Sequence, residues 1–295
     1  MRLSPLAKAV LHILNVIVIA LLLLPIGAAI IASLQSEVML RGDLRSVIPR
    51  DVTWDNYKIL FAGDESREGT IYSGIAYLPD AIRRFGTALV NSSIIAVAVT
   101  LLTLTFGSLT AYSVARLRLR WLGWFMGLNV FARFVPIVVL IIPLYVAFRQ
   151  LGLVNSLPGV IIAQTGFLLP FGILILVPYF ASIPTEIEEA ARIDGASRFT
   201  TFMRISLPLS VPILISLGAI VFIASWNDLL VPLILNTKPD LMTVPVVLVS
   251  LIGDNAVFFG LLCACSLIAM LPTVALVMLL QRYVVEGLTA GAVKA

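Results

Sequence analysis

Three adjacent residues inside an apolar run, Trp226, Asn227 and Asp228, bring together an indole, an amide and a carboxylate. These groups suit a polyhydroxylated ligand, because an apolar ring face stacks on indole while hydroxyl groups need paired donors and acceptors. An equally good interpretation is an aromatic residue at a membrane interface beside polar residues that link helices. We therefore treat all three as candidates for the lining of a substrate path.

Two more polar residues, Arg133 and Gln164, lie inside other apolar runs. A charge deep in hydrocarbon is costly unless it faces water or a partner, so Arg133 is a candidate for the same path. The alternative is a side chain that extends to the membrane surface. Asp228 is a candidate ion-pair partner for Arg133. Gln164 can bind a neutral polyol or join two helices, and the second role is commoner.

The elements that must position these residues are transmembrane helices. Hydrophobic residues make up 60% of the chain, charged residues 12%, and the mean hydropathy is +1.06, which is too apolar for a soluble domain of this length. A helical span needs roughly 20 apolar residues. We predict six spans, at 10–33, 87–111, 122–147, 158–180, 209–234 and 260–281. Pro136 and Pro143 are expected to bend the third span.

The distribution of positive charge predicts the orientation of these spans. Lys and Arg residues are denser in the short segments on one side, which places both termini in the cytoplasm by the positive-inside rule. The net charge of +4 is scattered among apolar spans and forms no long basic run. We therefore expect no nucleic-acid partner.

Several catalytic signatures are absent from the sequence. There is no G-x-x-x-x-G-K-[ST] loop, so ATP hydrolysis of the P-loop kind must come from another chain. H-E-x-x-H, C-x-x-C and G-x-S-x-G are absent too, which removes the common membrane-embedded hydrolases that carry them.

A charged island, residues 182–208, stands between the fourth and fifth predicted spans and is called the knob below. Thr185 and Glu188 have the spacing of a capping box at the start of a helix. Gly195 fits the left-handed end of that helix, and Ser197 fits the N-cap of a second one. Since a simple connector needs only a few polar residues, a helix-turn-helix here indicates a docking surface. An amphipathic loop resting on the bilayer is the alternative.

The knob also carries a spaced motif: Glu189-Ala190-Ala191, then Gly195, then Ile205-x-Leu207-Pro208. This motif resembles the E-A-A…G…I-x-L-P loop of binding-protein-dependent ABC importer permeases, and its longer form E-E-A-A-x-I-D-G-A-S is most similar to the carbohydrate-uptake branch. In that family the loop is a coupling helix seated in a cleft of a cytoplasmic ATPase. The resemblance implies that residues 184–206 couple this chain to an ATPase. The coupling residues would be Glu188, Glu189, Ala190, Ala191, Asp194, Gly195, Ala196, Ile205 and Pro208.

Weaker matches lie outside the knob. The W-N-D run at residues 226–228 and the D-x-T-x-x-N-Y run ending at Tyr57 are similar to sugar permeases. The second of these runs would contact an extracytoplasmic binding protein or form a solvated connector. The L-x-N-S run at Asn91 resembles the start of the family's transmembrane domain. The ending G-L-T-x-G-x-V-K, residues 287–294, is similar to that of the second permease subunit of maltose-type importers.

The apolar runs predict an all-α integral membrane protein with six transmembrane helices. The resemblance implies that it is a type I ABC importer permease in a bacterial or archaeal plasma membrane. Residues 1–84 would hold the first helix and an extracytoplasmic segment, 85–282 the transmembrane domain and 283–295 a cytoplasmic tail. The resemblance implies a second permease subunit, two ATPase subunits and a binding protein as partners. ATP and Mg would be bound by the ATPase, and no cofactor by this chain.

The sequence leaves three classes of function open, and they differ in whether they need a helix-turn-helix such as the knob. The first is ATP-driven import of a mono- or oligosaccharide, or of glycerol-3-phosphate or a polyol by the same architecture. The others are an intramembrane enzyme using Arg133, Gln164 and Asp228, and an energy-independent pore or carrier. Neither of these needs a charged helix-turn-helix in the cytoplasm. Neutralisation of Arg133 by Asp228 would favour a neutral sugar over an anion.

Overall fold

Helices make up nearly all of the regular structure in this computed structural model, which describes residues 4–42, 52–62, 70, 82–117, 121–252 and 257–290. In chain order the helices are α1 Pro5–Ser33, α2 Glu37–Gly42, α3 Asp55–Ala62, α4 Phe85–Arg116, α5 Leu122–Phe134, α6 Ile137–Gln150, α7 Leu157–Ser182, α8 Thr185–Ile193, α9 Arg198–Thr201, α10 Leu207–Leu209, α11 Val211–Trp226, α12 Leu230–Leu235, α13 Val244–Ser250 and α14 Phe259–Ala290. Short 3-10 turns cover Ile82–Arg84 and Pro239–Leu241, and a π-helical turn covers Phe202–Ser206. The predicted all-α fold is confirmed.

Four of these helices are long and apolar enough to cross a membrane alone, at Leu6–Ser33, Ile82–Arg116, Leu157–Ser182 and Phe259–Gln281. Two further helix pairs qualify when each bent pair is counted as one span, which gives six within the described part of the chain. Five of the six coincide with predicted spans to within a few residues, whereas the bent pair 198–226 begins before the predicted fifth span, 209–234, and ends short of it. In lipid, a long uncharged run can satisfy its backbone polar groups within itself only as a helix.

The third predicted span, 122–147, is not one continuous helix. α5 and α6 meet at an angle of 101°, with the break at Val135 and Pro136. Pro136 has no N–H for the helical ladder and disfavours the helical conformation in the residue before it, so Val135 is extended (φ −75°, ψ 116°). Pro136 thus bends the span as expected, whereas Pro143 lies within α6.

The fifth predicted span, 209–234, is interrupted as well. α11 meets the preceding helical segment, Arg198–Leu209, at 75°. α11 also ends at Trp226, and residues 227–229 separate it from α12. The hydropathy pattern missed this end because the residues from Leu229 to Leu235 are again apolar.

One compact unit contains residues 1–86 and 247–271. Within it, the fully buried amide of Asn56 donates to the carbonyl oxygens of Ser33 (2.7 Å) and Gln35 (3.0 Å), and the hydroxyls of Tyr57 and Ser33 are 2.8 Å apart. These bonds satisfy carbonyl groups that the end of α1 leaves without helical partners. Asn56 is therefore a structural residue, while contact of this run with a binding protein and its role as a connector stay predictions.

The second unit contains residues 87–246 and 272–295, and its core lies among α4, α7 and α11. Small residues let these helices approach closely. A Cβ atom added at Gly172 would lie 3.1 Å from Thr103 Cγ2, and one at Gly218 would lie 3.2 Å from Leu104 Cδ1. Glycines of α7 and α11 thus allow both helices to pack closely against α4.

Two asparagines hold the loop that follows α12 in the second unit. Asn155 is left-handed (φ 55°), and its side-chain oxygen accepts the N–H of Thr237 at 2.7 Å. Asn91 donates to the carbonyl oxygens of Asp240 (2.9 Å) and Met242 (3.0 Å). The polar start of the second predicted span therefore fixes this loop onto α4.

Candidate functional site

The knob begins with α8. Pro184 precedes this helix and Thr185 is its first residue, with no side-chain hydrogen bond capping the end, so the predicted capping box of Thr185 and Glu188 is wrong. Glu188 instead points into the protein and is only 7% exposed. The spacing of residues located the start of the helix but not the direction of this carboxylate.

Gly195 ends α8 in the left-handed conformation that the sequence predicts. Its φ is +89°, and its N–H donates to the carbonyl oxygen of Arg192 at 3.1 Å. Glycine adopts this conformation without the strain that a Cβ atom introduces. Ser197 then caps α9 as predicted, because its hydroxyl accepts the N–H of Thr200 at 3.2 Å.

The knob continues from α9 into α10 through a π-helical turn. This turn was not predicted from the sequence. The N–H of Leu207 donates to the carbonyl oxygen of Phe202, five residues earlier. Pro208 follows and has no N–H with which to continue the ladder. Ser206, the last residue of this turn, is fully buried. Such π turns often occur at functional sites.

Glu188 is the centre of a buried polar cluster. Its Oε2 accepts hydrogen bonds from Arg116 Nε at 2.9 Å and from the Tyr112 hydroxyl at 3.2 Å. Its Oε1 accepts one from the Ser206 hydroxyl at 2.8 Å. Arg116 Nη2 also donates to the carbonyl oxygen of Ile183 at 2.8 Å. A buried ion pair is tolerated when further hydrogen bonds satisfy both groups, and this pair has them.

Aromatic rings pack beside this cluster. The Tyr112 ring lies 5.8 Å from the Phe180 ring and 4.9 Å from the Phe202 ring, measured between centroids. Phe180 lies near the end of α7 and Phe202 opens the π turn, and both are almost fully buried. The two helical segments of the knob, α8 and the stretch from α9 through the π turn, therefore meet the ends of α4 and α7 in one packed group.

The other predicted coupling residues lie on the outer side of the knob. Those that are exposed are Glu189, Ala190, Asp194, Gly195 and Pro208, and those that are half-buried are Ala191, Ala196 and Ile205. Large apolar side chains stand among them: Ile193 is 86% exposed and Phe199 64% exposed. Exposed apolar side chains grouped beside polar ones mark surfaces for protein interaction.

A cavity of about 470 Å³ opens between the knob and the end of α4. Its charged lining residues are Arg116, Glu188, Glu189, Arg192 and Arg198, and its rings come from Tyr112, Phe199 and Phe202. Within the described ranges there is no group of three His, Cys, Asp or Glu side chains that could hold a metal ion. The knob thus presents a surface of mixed charge and apolar rings.

Gln164 and Asp228 form a second polar cluster, in the helix bundle. Gln164 Nε2 donates to Asp228 Oδ2 at 2.8 Å, and its Oε1 accepts a hydrogen bond from the Ser225 hydroxyl. Asp228 Oδ1 accepts the N–H of Leu230 at the start of α12 at 3.1 Å. Gln164 is 2% exposed and joins α7 to the break between α11 and α12, which fits the helix-linking interpretation. Roles of Gln164 and Asp228 in the substrate path stay predictions.

Trp226 and Asn227 face different surroundings. Trp226 is 2% exposed, and its ring stacks on Phe222 with centroids 5.9 Å apart and planes 11° apart. Its indole is therefore covered in this conformation. Asn227 is exposed, and its amide donates to the carbonyl oxygen of Ile223 at 2.9 Å. Of the W-N-D run, only Asn227 and the half-buried Asp228 reach the surface of the chain.

Arg133 lies apart from this cluster. It is exposed near the end of α5, with its guanidinium carbon 5.1 Å from the centroid of the Phe171 ring. The suggested ion pair of Arg133 with Asp228, both of which the structure describes, is not formed. The structure therefore joins Gln164 to Asp228 but leaves Arg133 on an aromatic ring of α7.

Three residues of the Glu188 cluster were missed by sequence reasoning: Tyr112, Arg116 and Ser206. Arg116 carried one signal, because it is the first charged residue after the long uncharged run that begins at Phe85. Its partner Glu188 lies 72 residues further along the chain, and no spacing rule joins them. The tail motif at residues 287–294 lies partly outside the described residues, and no side chain in its described part is placed.

Comparison with known proteins identifies the family. Residues 103–289 match the family described as binding-protein-dependent transport system inner membrane component. The trehalose transport system permease protein SugB of Mycobacterium tuberculosis is 31% identical over 284 residues, which cover 96% of each chain. The trehalose/maltose transport system permease protein MalG of Thermococcus litoralis is 37% identical over 232 residues, covering 77% of this chain and 82% of that protein.

A solved structure has the same fold. It is a bacterial ABC transporter involved in the import of the acidic polysaccharide alginate, and one of its chains aligns with a TM-score of 0.74 at 20% identity over 96% of this chain and 99% of that chain. Members of the matched family are multi-pass permeases of ABC importers rather than enzymes, working with a binding protein and separate ATPase subunits. The family match and the relatives extend over most of the length of this chain. The chain therefore belongs to the inner membrane components of binding-protein-dependent transport systems.

Proposed function

We propose that this chain is the permease subunit of an ABC importer for a carbohydrate and that the knob couples it to the ATPase. The observation that carries the proposal is the division of the knob into two faces. Its outer face exposes Glu189, Ile193 and Phe199, whereas its inner face is held by Glu188. A surface that is free on one side and anchored on the other can pass motion from one protein to another.

The proposed complex has two permease chains, formed by this subunit and a paralogous partner, with two ATPase subunits that bind ATP and Mg. The knob and both termini face the cytoplasm in this arrangement. Only 6% of the most apolar window of α1 is buried within the chain, which leaves its surface to lipid and to the second permease. A binding protein delivers the solute on the opposite side.

The substrate class is supported by the relatives, which are named as permeases for trehalose and for trehalose/maltose. Import of glycerol-3-phosphate or a polyol by the same architecture is the alternative. The sequence favours a neutral sugar only if Asp228 neutralises Arg133. Asp228 is instead bonded to Gln164, so the charges of the chain do not favour neutral over acidic carbohydrates.

Reconstitution in liposomes with the partner permease, the ATPase and the binding protein tests this function. We expect ATP-driven uptake of a sugar, which Glu189→Lys abolishes while the variant still inserts into the membrane. Uptake by the chain without the ATPase would contradict the proposal. ATP-driven uptake of glycerol-3-phosphate in place of any sugar would support the alternative substrate.

A further inference from the structure

The knob contains two adjacent glutamates with opposite surroundings. Glu189 is exposed on the outer face, whereas Glu188 is only 7% exposed. Sequence resemblance assigns both to the surface that meets the ATPase. A side chain buried to this degree has almost no surface left for another protein, so Glu188 needs a different role.

Glu188 joins segments that are far apart in the sequence. It accepts hydrogen bonds from Arg116 and Tyr112 at the end of α4, and from Ser206 in the π turn that leads toward α11. Arg116 extends the connection, because its second nitrogen donates to the carbonyl oxygen of Ile183, where α7 ends. One ion pair thus connects α8 to α4, α7 and the route to α11.

The hydrogen bonds that link Glu188, Arg116 and Ile183 form a joint between the knob and the helix bundle, and their chemistry makes this joint stiff. Arg116 donates from two different nitrogens, to Glu188 and to the chain at Ile183, so its planar guanidinium is held in orientation as well as in position. Charge-assisted hydrogen bonds are shorter and stronger than neutral ones, and they strengthen further where water is scarce. Without the joint, the knob would be tied to the bundle mainly by its two chain ends and by apolar packing, which permits sliding.

We propose that Glu188 and Arg116 are positioning residues that lock the knob to α4, so that displacement of the knob moves the helix bundle. This inference rests on the proposed coupling of the knob to an ATPase. It differs from the assignment drawn from resemblance in one respect: Glu188 acts inside the permease, and contact with the ATPase belongs to Glu189 and the exposed residues around it.

Glu188→Gln in the complete transporter tests the lock. The variant keeps the shape of the side chain but removes its charge. We expect the ATPase to remain associated, since the outer face is unchanged, while stimulation of ATP hydrolysis by the loaded binding protein falls roughly tenfold, within the usual range of coupling between sites. Glu186→Gln is the comparison variant, which makes the same chemical change on an exposed residue of α8. Because Glu186 lies on the docking face, any loss of stimulation it causes should come with a loss of ATPase association, whereas Glu188→Gln should lose stimulation with the ATPase still bound.

A double-mutant cycle shows whether Glu188 and Arg116 act through one shared interaction or have two independent effects. Arg116→Met should reduce stimulation about as much as Glu188→Gln, and the double variant should lose little more than either single variant, because both remove one joint. Loss of ATPase association in Glu188→Gln would overturn the proposal, since it would make Glu188 a contact residue. Unchanged stimulation, or losses that simply multiply in the double variant, would overturn it too.

If the Glu188 and Arg116 variants fail to assemble into the transporter, Ser206→Ala tests the proposal in their place. It removes one hydrogen bond to Glu188 without leaving a buried charge unpaired, and we expect a loss of stimulation of a few-fold with the ATPase still bound. Normal stimulation in Ser206→Ala would then overturn the proposal. Failure of the proposed function is recognised separately, because the unaltered transporter would show no ATP-driven uptake.

Discussion

The side-chain amide of Gln164 in α7 donates a hydrogen bond of 2.8 Å to the carboxylate of Asp228, where the chain leaves α11. The same carboxylate accepts the N–H of Leu230 and so holds the start of α12. Asp228 is therefore both a candidate for contact with the substrate and a support for the break between two helices. Variants can separate the two roles.

Asp228→Ala should destabilise the protein and reduce uptake. The change leaves the amide of the buried Gln164 and the N–H of Leu230 without their acceptor, and an unsatisfied buried donor costs about 1–3 kcal/mol. Thermal unfolding of the purified protein measures the first effect, and uptake kinetics in liposomes measure the second.

Combining Asp228→Ala with Gln164→Leu provides the control. The double variant no longer leaves the Gln164 amide without an acceptor, so stability should recover in part relative to Asp228→Ala alone, while the Ser225 hydroxyl and the Leu230 N–H still lack their acceptors. If Asp228 also lies in the substrate path, uptake should stay low in this stable double variant. Recovery of normal uptake would remove Asp228 from the path and leave it a structural residue.

Gly195→Val should leave the protein inserted but stop uptake and weaken ATPase association. The φ of +89° disfavours a β-branched residue by roughly 1–2 kcal/mol, while no atom lies within 4 Å of an added Cβ. The effect therefore comes from the backbone, which must change and move α9 relative to α8. Membrane insertion, uptake and co-purification of the ATPase are the measurements.

Gly195→Asn is the matched comparison for that variant. Asparagine adopts the left-handed conformation more readily than other residues with a Cβ atom, so we expect uptake much closer to normal. Equal loss in the asparagine and valine variants would show that the backbone conformation at Gly195 is not what the knob requires.

Arg133→Gln should change uptake with little change in stability. The guanidinium is exposed beside the Phe171 ring, and an exposed cation–π contact contributes about 0.5–1 kcal/mol. A residue lining the path should alter the apparent affinity for substrate several-fold when its charge is removed, as measured by initial uptake rates. Arg149→Gln, at the exposed end of α6, should not, and equal behaviour of the two would place Arg133 outside the path.

Asn56→Ala should lower thermal stability and leave the affinity for the binding protein unchanged. Its buried amide satisfies the carbonyl oxygens of Ser33 and Gln35, and loss of these bonds should cost about 1–3 kcal/mol. Melting in detergent and binding-protein titration are the two measurements. A weaker binding protein interaction at unchanged stability would contradict the structural role.

Local backbone requirements were predictable from the sequence. Gly195 and Ser197 were assigned correctly because a left-handed helix end and an N-cap depend on residue type and on neighbours within a few positions. The six spans were located for a similar reason. Uncharged runs of sufficient length have few alternatives in lipid.

The direction in which a side chain points in the folded protein, and the angle at which helices pack, were not predictable in the same way. Glu188 has the spacing of a capping residue after Thr185, yet Arg116, 72 residues earlier in the chain, draws its carboxylate inward. Pro136 signalled a bend, but the 101° angle between α5 and α6 depends on how the surrounding helices pack. Likewise, Trp226 offers an indole suited to sugars, but packing in the folded chain leaves it only 2% exposed.

Cross-linking of the knob to the ATPase tests the central claim most directly. Asp194→Cys, in a background with Cys263→Ala and Cys265→Ala, places one reactive thiol on the exposed face of the knob. A short thiol-to-amine reagent should then trap the ATPase, and Thr237→Cys, exposed in the loop after α12, should trap none. Failure of Asp194→Cys to trap any ATPase in a transport-competent complex, or equal trapping from Thr237→Cys, would contradict coupling through the knob.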